Sequence, residues 1–292
     1  MNITLPAIEC LACPIDGLPL VLSEMGALRC PKNHSYDRAK QGYFNLLPVQ
    51  FKPSKDPGDS KAMIEARTRV LNSGIFDPVC SELTDLIQTH WPSQRQRQYS
   101  APAVLVDAGC GDGYYTSRLA REFTASTEIN VIGVDISKWA IMAAARTDKS
   151  VCWLVANNKR LPVKQGSAGV ITSLFGFATW QPWGELQFPG QTVITVDASS
   201  HHLLELRALI YDEVQQHDAP DDKDALDAGY EKVQEVPLKY PVSRPAVQML
   251  TDILTMTPHG KRANQQQLHS NHDFSIAALT IDVTIRVYRK CG

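Results

Sequence analysis

No uninterrupted apolar run in this 292-residue chain approaches the roughly 20 residues that a membrane-spanning helix needs, so no membrane association is expected. The opening MNITLPAIEC has no basic stretch leading into an apolar one, and no secretory leader is expected either. Cysteine is sparse and odd in number, seven in all, which argues against a disulfide framework and for a reducing, cytoplasmic setting. The net charge of −2 exerts no global pull toward nucleic acid or an anionic surface. Internal repeats and low-complexity runs are missing, which excludes solenoid architectures. What is present is an ordinary globular composition, 43% hydrophobic and 21% charged, long enough for one large or two modest domains.

Three of the few cysteines nevertheless fall in one short stretch, CLACPIDGLPLVLSEMGALRCPKNHSYD, from Cys10 to Asp37. Cys10 and Cys13 form a CxxC pair, and Cys30 and His34 follow after a sixteen-residue gap. Two such pairs can fold back and offer three thiolates and an imidazole to one tetrahedral zinc ion. Pro14 and Pro31, each just after a cysteine, fit the tight turns on which such pairs sit. The segment is too short to build its own core, so a metal would supply much of its folding free energy and would be structural. A redox-active CxxC and four unrelated surface groups remain as other readings. Pro14 and Gly17 suit the helix that a redox pair opens poorly.

From Arg29 to Arg69 there are nine Lys/Arg against four Asp/Glu. Lys40, Tyr43, Phe44, Lys52 and Lys55 interleave basic and aromatic side chains there, a mix that can stack on bases and pair with phosphates. The same residues can equally form a solvated face, or the seam between the N-terminal module and the next domain. Pro48, Pro53 and Pro57 keep this part extended. Ala62, Met63, Ala66, Val70 and Leu71 then have helical spacing, with Ser60 or Asp59 as N-cap.

Strand-like runs at 103–108 (AVLVDA), from Asn130 (NVIGVDIS) and from Val151 (VCWLVANNKRLP) alternate with amphipathic helical segments. That order predicts an α/β fold with a parallel, doubly wound sheet and a ligand beyond the carboxyl ends of its strands. The first turn, Gly109-Cys-Gly111-Asp-Gly113, lets backbone approach a ligand closely. A dinucleotide fingerprint would read GxGxxG, whereas this turn reads GxGxG and is preceded by Asp107. An acid there suits a cationic amino group better than a pyrophosphate, and Asp135 at the second strand's end can hold ribose hydroxyls. With Asn157 at the third strand's end, the pattern points to S-adenosylmethionine. Asp107 as a partner of nearby amides and Asp135 as a helix cap remain alternatives.

The cysteine cluster, GYFNLLPVQ, DPGDS, DAGCGDGYYT, GVDISKWAI, RLP and HLLELRALIYDEV occur in an order and spacing that resembles the RlmA family of 23S rRNA (guanine-N1)-methyltransferases. The resemblance implies a class I S-adenosylmethionine-dependent methyltransferase, Rossmann-like, with a mostly parallel seven-stranded sheet and a small N-terminal zinc-binding module. It implies a module over 1–45, a linking extended and helical segment over 46–100, and a methyltransferase domain over 101–292. The expected reaction is methylation of guanine N1 in a 23S rRNA hairpin, by a chain that can work as a homodimer. Cys10, Cys13, Cys30 and His34 match the family's structural zinc ligands. Gly111, Asp112 and His202 match its cofactor contacts, and Phe76 stands where a cofactor-contacting tyrosine is expected. Asp59 is the candidate acid–base group. The chain departs from the family at Leu174-Phe-Gly-Phe177, where an IYAP-like stretch is usual, and in MTPHGKRANQQQ, which lacks an expected tryptophan. Those departures leave a catalytically impaired RNA-binding protein, or a methyltransferase of a non-RNA substrate, as alternatives. Near the C-terminus, YDEVQQHDAPDDKDALDAGYEKV is expected to be solvated and FSIAALTIDVTIRVYRK to complete the sheet as a strand or hairpin.

Overall fold

Short buried strands alternating with amphipathic helices organise the chain around one large sheet. The computed structural model describes residues 5–54, 57–92, 103–126, 129–211, 220–257 and 276–292. The elements are, in order, α1 (Leu5–Glu9), β1 (Val21–Leu22), β2 (Leu28–Arg29), β3 (Ser35–Tyr36), β4 (Phe44–Asn45), α2 (Lys61–Asn72) and α3 (Asp77–His90). Then come β5 (Val104–Ala108), α4 (Tyr114–Ser126), β6 (Asn130–Asp135), α5 (Lys138–Thr147), β7 (Cys152–Val155), β8 (Ala168–Leu174) and α6 (Trp180–Leu186). The last are β9 (Thr192–Ala198), α7 (Leu204–Ile210), α8 (Lys223–Asp227), β10 (Tyr230–Ser243), α9 (Val247–Met256) and β11 (Ala278–Lys290).

The main sheet has eight strands among the described residues, in the order β10-β11-β9-β8-β5-β6-β7-β4. Pairing is parallel from β9 through β4, and β11 runs antiparallel to both β9 and β10. Seven of these strands form the methyltransferase-like sheet expected from the sequence; the eighth, β4, comes from the N-terminal segment. The chain winds outward in opposite directions from β5 and β8, so their carboxyl ends flank the crevice where doubly wound sheets bind ligands. All of β5, β7 and β8 is buried, because helices cover both faces.

β10 escaped the sequence reading. Its burial alternates along fourteen residues, and Pro237 and Pro241 sit within it. As an edge strand it tolerates prolines, which also blunt pairing with another chain. β11 completes the sheet as one strand, the first of the two forms, strand or hairpin, expected for the C-terminus. Lys55, the 212–219 part of the acidic stretch and the 258–267 part of MTPHGKRANQQQ lie outside the described residues.

The N-terminal segment is stitched to the sheet at two places. Phe44 and Asn45 pair with Leu154 and Val155 of β7. Nearby, Ala12 N donates to Pro162 O at 2.9 Å and Lys164 N to Cys10 O at 2.7 Å. Tyr43 and Phe44 are buried in the core, so the aromatic members of the basic–aromatic interleave serve as seam and present no face for stacking bases. The other aromatic ring there, Phe51, lies beneath the Arg160 guanidinium, 4.2 Å from its centroid.

α2 starts as its capping chemistry dictates: Ser60, not Asp59, is the N-cap, accepting from Met63 N. Ile64, Ala66, Val70 and Leu71 face inward. Arg69 forks onto Asp252 of α9 with contacts of 2.8 and 2.6 Å, and Thr68 Oγ1 donates to Asp112 Oδ2 at 2.5 Å. α2 is thereby fixed against the glycine turn.

Candidate active site and metal centre

Gly109, Gly111 and Gly113 all have left-handed φ, at 94°, 56° and 81°, which explains the spacing GxGxG. Their roles differ. A Cβ on Gly113 would lie 2.5 Å from Trp153 Cη2, and one on Gly133 would lie 2.3 Å from Trp153 Cζ3. Trp153 is almost fully buried and donates Nε1 to Asp148 O at 2.8 Å. Gly113, expected to touch a cofactor, thus makes room for an indole beneath the turn. Gly109 and Gly111 form the part that side chains approach: Asn158 Nδ2 would stand 3.4 Å from a Cβ on Gly109, and Arg67 Nη1 3.5 Å from one on Gly111.

Asp135 sits where the sequence places it. Its Oδ2 accepts from Gly111 N at 3.0 Å and its Oδ1 from Ser137 N at 2.7 Å. A carboxylate offers about four lone-pair sites, so acceptor capacity remains for a ribose diol. Burial raises its pKa, opposed by those two amides. The helix-cap reading goes to Ser137, whose Oγ accepts from Ala140 N.

Asp107 is placed differently from the expectation. It is fully buried, with Oδ2 accepting from Thr116 Oγ1 at 2.5 Å and Oδ1 from Thr172 Oγ1 at 3.0 Å. It ties β5 to α4 and β8 and does not open to the crevice; burial pushes it up to about 6. Asn157 Oδ1 accepts from Lys159 N and caps a short turn. Its neighbour Asn158 reaches the glycines instead, and its Oδ1 is buried with no hydrogen-bond partner. Ser173 Oγ, near the end of β8, is likewise buried and unpartnered. An unsatisfied buried polar atom costs about 1–3 kcal/mol, so two such oxygens, one just beyond β7 and one near the end of β8, fit a polar ligand in the crevice.

Phe76 and His202 come together as a pair, ring centroids 6.3 Å apart, and Phe175 joins them at 5.8 Å from each. Phe175 has φ 52°, a left-handed backbone that a bulky residue adopts rarely, and turns the chain so that Phe177 stands 92% exposed. Asp112 holds Thr68 and Tyr114 N, which makes it a clamp for α2. Asp59, the candidate base, pairs with Arg67, and its carbonyl accepts from Ser137 Oγ at 2.8 Å.

At the other end, Cys13, Asp16, Cys30 and His34 bring one ligand atom each within 4.8 Å of one another. Cys13, Cys30 and His34 are the expected residues; Asp16 was not expected, and Cys10 does not join them. The Cys10 thiol packs beside Lys164 and hydrogen-bonds Ser167, and burial pushes it up to about 11. The signal for Asp16 is present in the sequence: Cys13-Pro-Ile-Asp16 repeats the CxxC spacing with a carboxylate last.

Comparison with known proteins bears on both halves. The family model described as "RlmA, N-terminal", a zinc ribbon, matches residues 11–55, and a "Methyltransferase domain" model matches residues 105–188. A 23S rRNA (guanine(748)-N(1))-methyltransferase of Streptomyces fradiae is 32% identical over 197 residues, 67% of this chain and 66% of that protein. A candidate 23S rRNA (guanine-N(1)-)-methyltransferase of Micromonospora griseorubida is 30% identical over 206 residues, 67% of this chain and 68% of that protein. The chain belongs to the RlmA family. A further candidate 23S rRNA (guanine-N(1)-)-methyltransferase, YxjB of Bacillus subtilis (strain 168), extends the likeness to 95% of this chain and 96% of its own length at 26% identity. The RlmA ribbon match begins after Cys10. Among the described residues no helix is long and apolar enough to cross a membrane.

Proposed function

We propose that this RlmA-family chain methylates N1 of a guanine in a hairpin of 23S rRNA, using S-adenosylmethionine bound in the crevice beyond β5, β6 and β8. The carrying observation is the crevice itself: a left-handed glycine turn, a carboxylate held beside it by Gly111 N, and two buried oxygens without partners. When bound, S-adenosylmethionine supplies an electrophilic methyl group on a sulfonium. The protein's own residues bind and orient. Asp135 accepts from the ribose hydroxyls, Asn158 Oδ1 accepts from the adenine amino group, and the Gly109–Gly111 backbone lets the ligand lie close. Phe76 and His202 close the far wall.

A guanine inside a hairpin must leave its stack to present N1. Phe177, exposed at the end of β8, offers an aromatic face for the extruded base. Guanine N1 carries a proton at neutral pH that must leave. Asp59 is engaged by Arg67 and serves to hold α2 in place. Lys159, Arg160 and Lys164, with Glu185 opposing them, line a cleft against Cys13, Pro14 and Gly17 of the ribbon, so the strand-end loop presents net positive charge to RNA phosphates beside the metal module.

The test is transfer of labelled methyl groups from S-adenosylmethionine to unmodified 23S rRNA, with the product mapped by reverse-transcription stops, since N1 methylation blocks the pairing edge. Label in one guanine of a hairpin is the expected result. Label in protein or small molecules, or none with cofactor bound, refutes the assignment.

A further inference from the structure

We propose that the ribbon holds its zinc through Asp16 where a third thiolate is expected, so that Cys13, Asp16, Cys30 and His34 form a two-sulfur, one-nitrogen, one-oxygen set and Cys10 is a core thiol. The inference rests on the reading of this module as a metal centre and specifies its ligands.

The spacing of the atoms carries it. Zinc bonds of about 2.3 Å to sulfur and about 2.0–2.1 Å to nitrogen or oxygen, arranged tetrahedrally, set sulfur–nitrogen and sulfur–oxygen edges of about 3.5 Å and a nitrogen–oxygen edge of about 3.3 Å. The structure has Cys13 Sγ to His34 Nδ1 at 3.5 Å, Cys30 Sγ to His34 Nδ1 at 3.4 Å, Cys30 Sγ to Asp16 Oδ2 at 3.4 Å, and His34 Nδ1 to Asp16 Oδ2 at 3.1 Å. These are four edges of one ligand tetrahedron. Tyr36 Oη, 3.3 Å from Cys13 Sγ, can donate to that sulfur from outside it.

Local backbone agrees. Cys13-Pro14 and Cys30-Pro31 each open a tight turn, closed by Gly17 N donating to Cys13 O at 2.8 Å and Asn33 N to Cys30 O at 2.9 Å. Each turn contains a left-handed residue, Gly17 at φ 73° and Asn33 at φ 64°. The two knuckles thus share a plan, and each delivers its second ligand, Asp16 or His34, beside that residue. Cys10 precedes the first knuckle, and its backbone carbonyl is bound by Lys164 N of the methyltransferase domain.

The exchange is nearly neutral in charge. Two thiolates and a carboxylate bring the same three negative charges as three thiolates, so the ion is compensated equally. Hardness changes, because a carboxylate oxygen is a poorer match than a thiolate for zinc against oxygen-seeking ions. The site should give up its metal to chelators faster than a three-thiolate variant.

Three measurements on the full chain test this, none of them using activity. Mass spectrometry under native conditions should find one zinc per chain; none would overturn the metal reading and this inference with it. X-ray absorption of the zinc protein should give two sulfur and two nitrogen or oxygen neighbours, whereas three sulfurs with zinc present would overturn the ligand assignment alone. In the cobalt-substituted protein the thiolate-to-metal band scales with bound thiolates. Asp16→Cys should raise it about 1.5-fold and slow metal loss to a chelator, and Cys10→Ala should leave it unchanged. A one-third loss in Cys10→Ala with no gain in Asp16→Cys would refute the proposal.

Discussion

Gly113 and Gly26 provide a matched pair for separating backbone strain from crowding. Their φ values are 81° and 80°, so alanine at either meets the same left-handed penalty, about 1–2 kcal/mol. Space differs entirely. A Cβ on Gly26 meets nothing within 4 Å, whereas one on Gly113 meets Trp153 Cη2 at 2.5 Å and Ala144 Cβ at 2.9 Å. Neither neighbour yields easily, since Trp153 and Ala144 are both buried and the indole is anchored through Nε1. Overpacking of this kind adds about 1–3 kcal/mol. Gly26→Ala should therefore cost about 1–2 kcal/mol and Gly113→Ala about 2–5 kcal/mol, read from urea unfolding at unchanged m-value and without cofactor. A Trp153→Phe background should shrink the Gly113→Ala cost. Equal costs for the two alanines, or strict additivity with Trp153→Phe, would refute the assignment of Gly113 to indole packing.

Asp107 titrates from an ordinary 3.8 to about 6 in the folded chain, so it favours folding most below pH 4 and loses that contribution as pH rises through 6. Unfolding free energy of the wild type should fall by about 2 kcal/mol relative to Asp107→Asn between pH 4 and pH 7; parallel pH profiles would contradict it. Phe44→Ala, which empties the β4–β7 seam, should cost about 3–5 kcal/mol in thermal or urea unfolding. Lys159→Glu with Arg160→Glu should weaken rRNA binding and flatten the dependence of log affinity on log salt by about 0.7 for each phosphate no longer neutralised, checked by titration at several salt concentrations. Phe177→Ala should lower methyl transfer to rRNA roughly 5- to 150-fold, in line with about 1–3 kcal/mol of stacking, while calorimetry finds cofactor affinity unchanged.

The parallel strands and the glycine turn were legible because buried apolar runs and left-handed glycines leave local marks. Asp135 was readable for the same reason: a strand end fixes where its side chain points. Asn158 was missed by one residue, since only the packed turn decides which of two adjacent asparagines faces the glycines. Asp16 was passed over in the sequence. Cys10 completes a CxxC with Cys13, whereas a carboxylate among loop residues draws no notice until its oxygen lies beside two sulfurs and an imidazole. β10 was obscured by Pro237, Pro241 and its alternating charge, all of which an edge strand accepts. The burial of Tyr43 and Phe44 depends on contacts with β7, more than a hundred residues away, that no local pattern reports.

The two-residue strand at Phe44–Asn45 has a mechanical meaning. Because it continues the same hydrogen-bonded array that carries the crevice, the ribbon is fastened to the catalytic body at that point without a hinge. Reach from the basic cleft to the methyl donor is then fixed by the frame, as on a ruler. On the proposed function, an RNA whose target base lies at the wrong distance from the gripped phosphates would have to bend itself to reach the crevice.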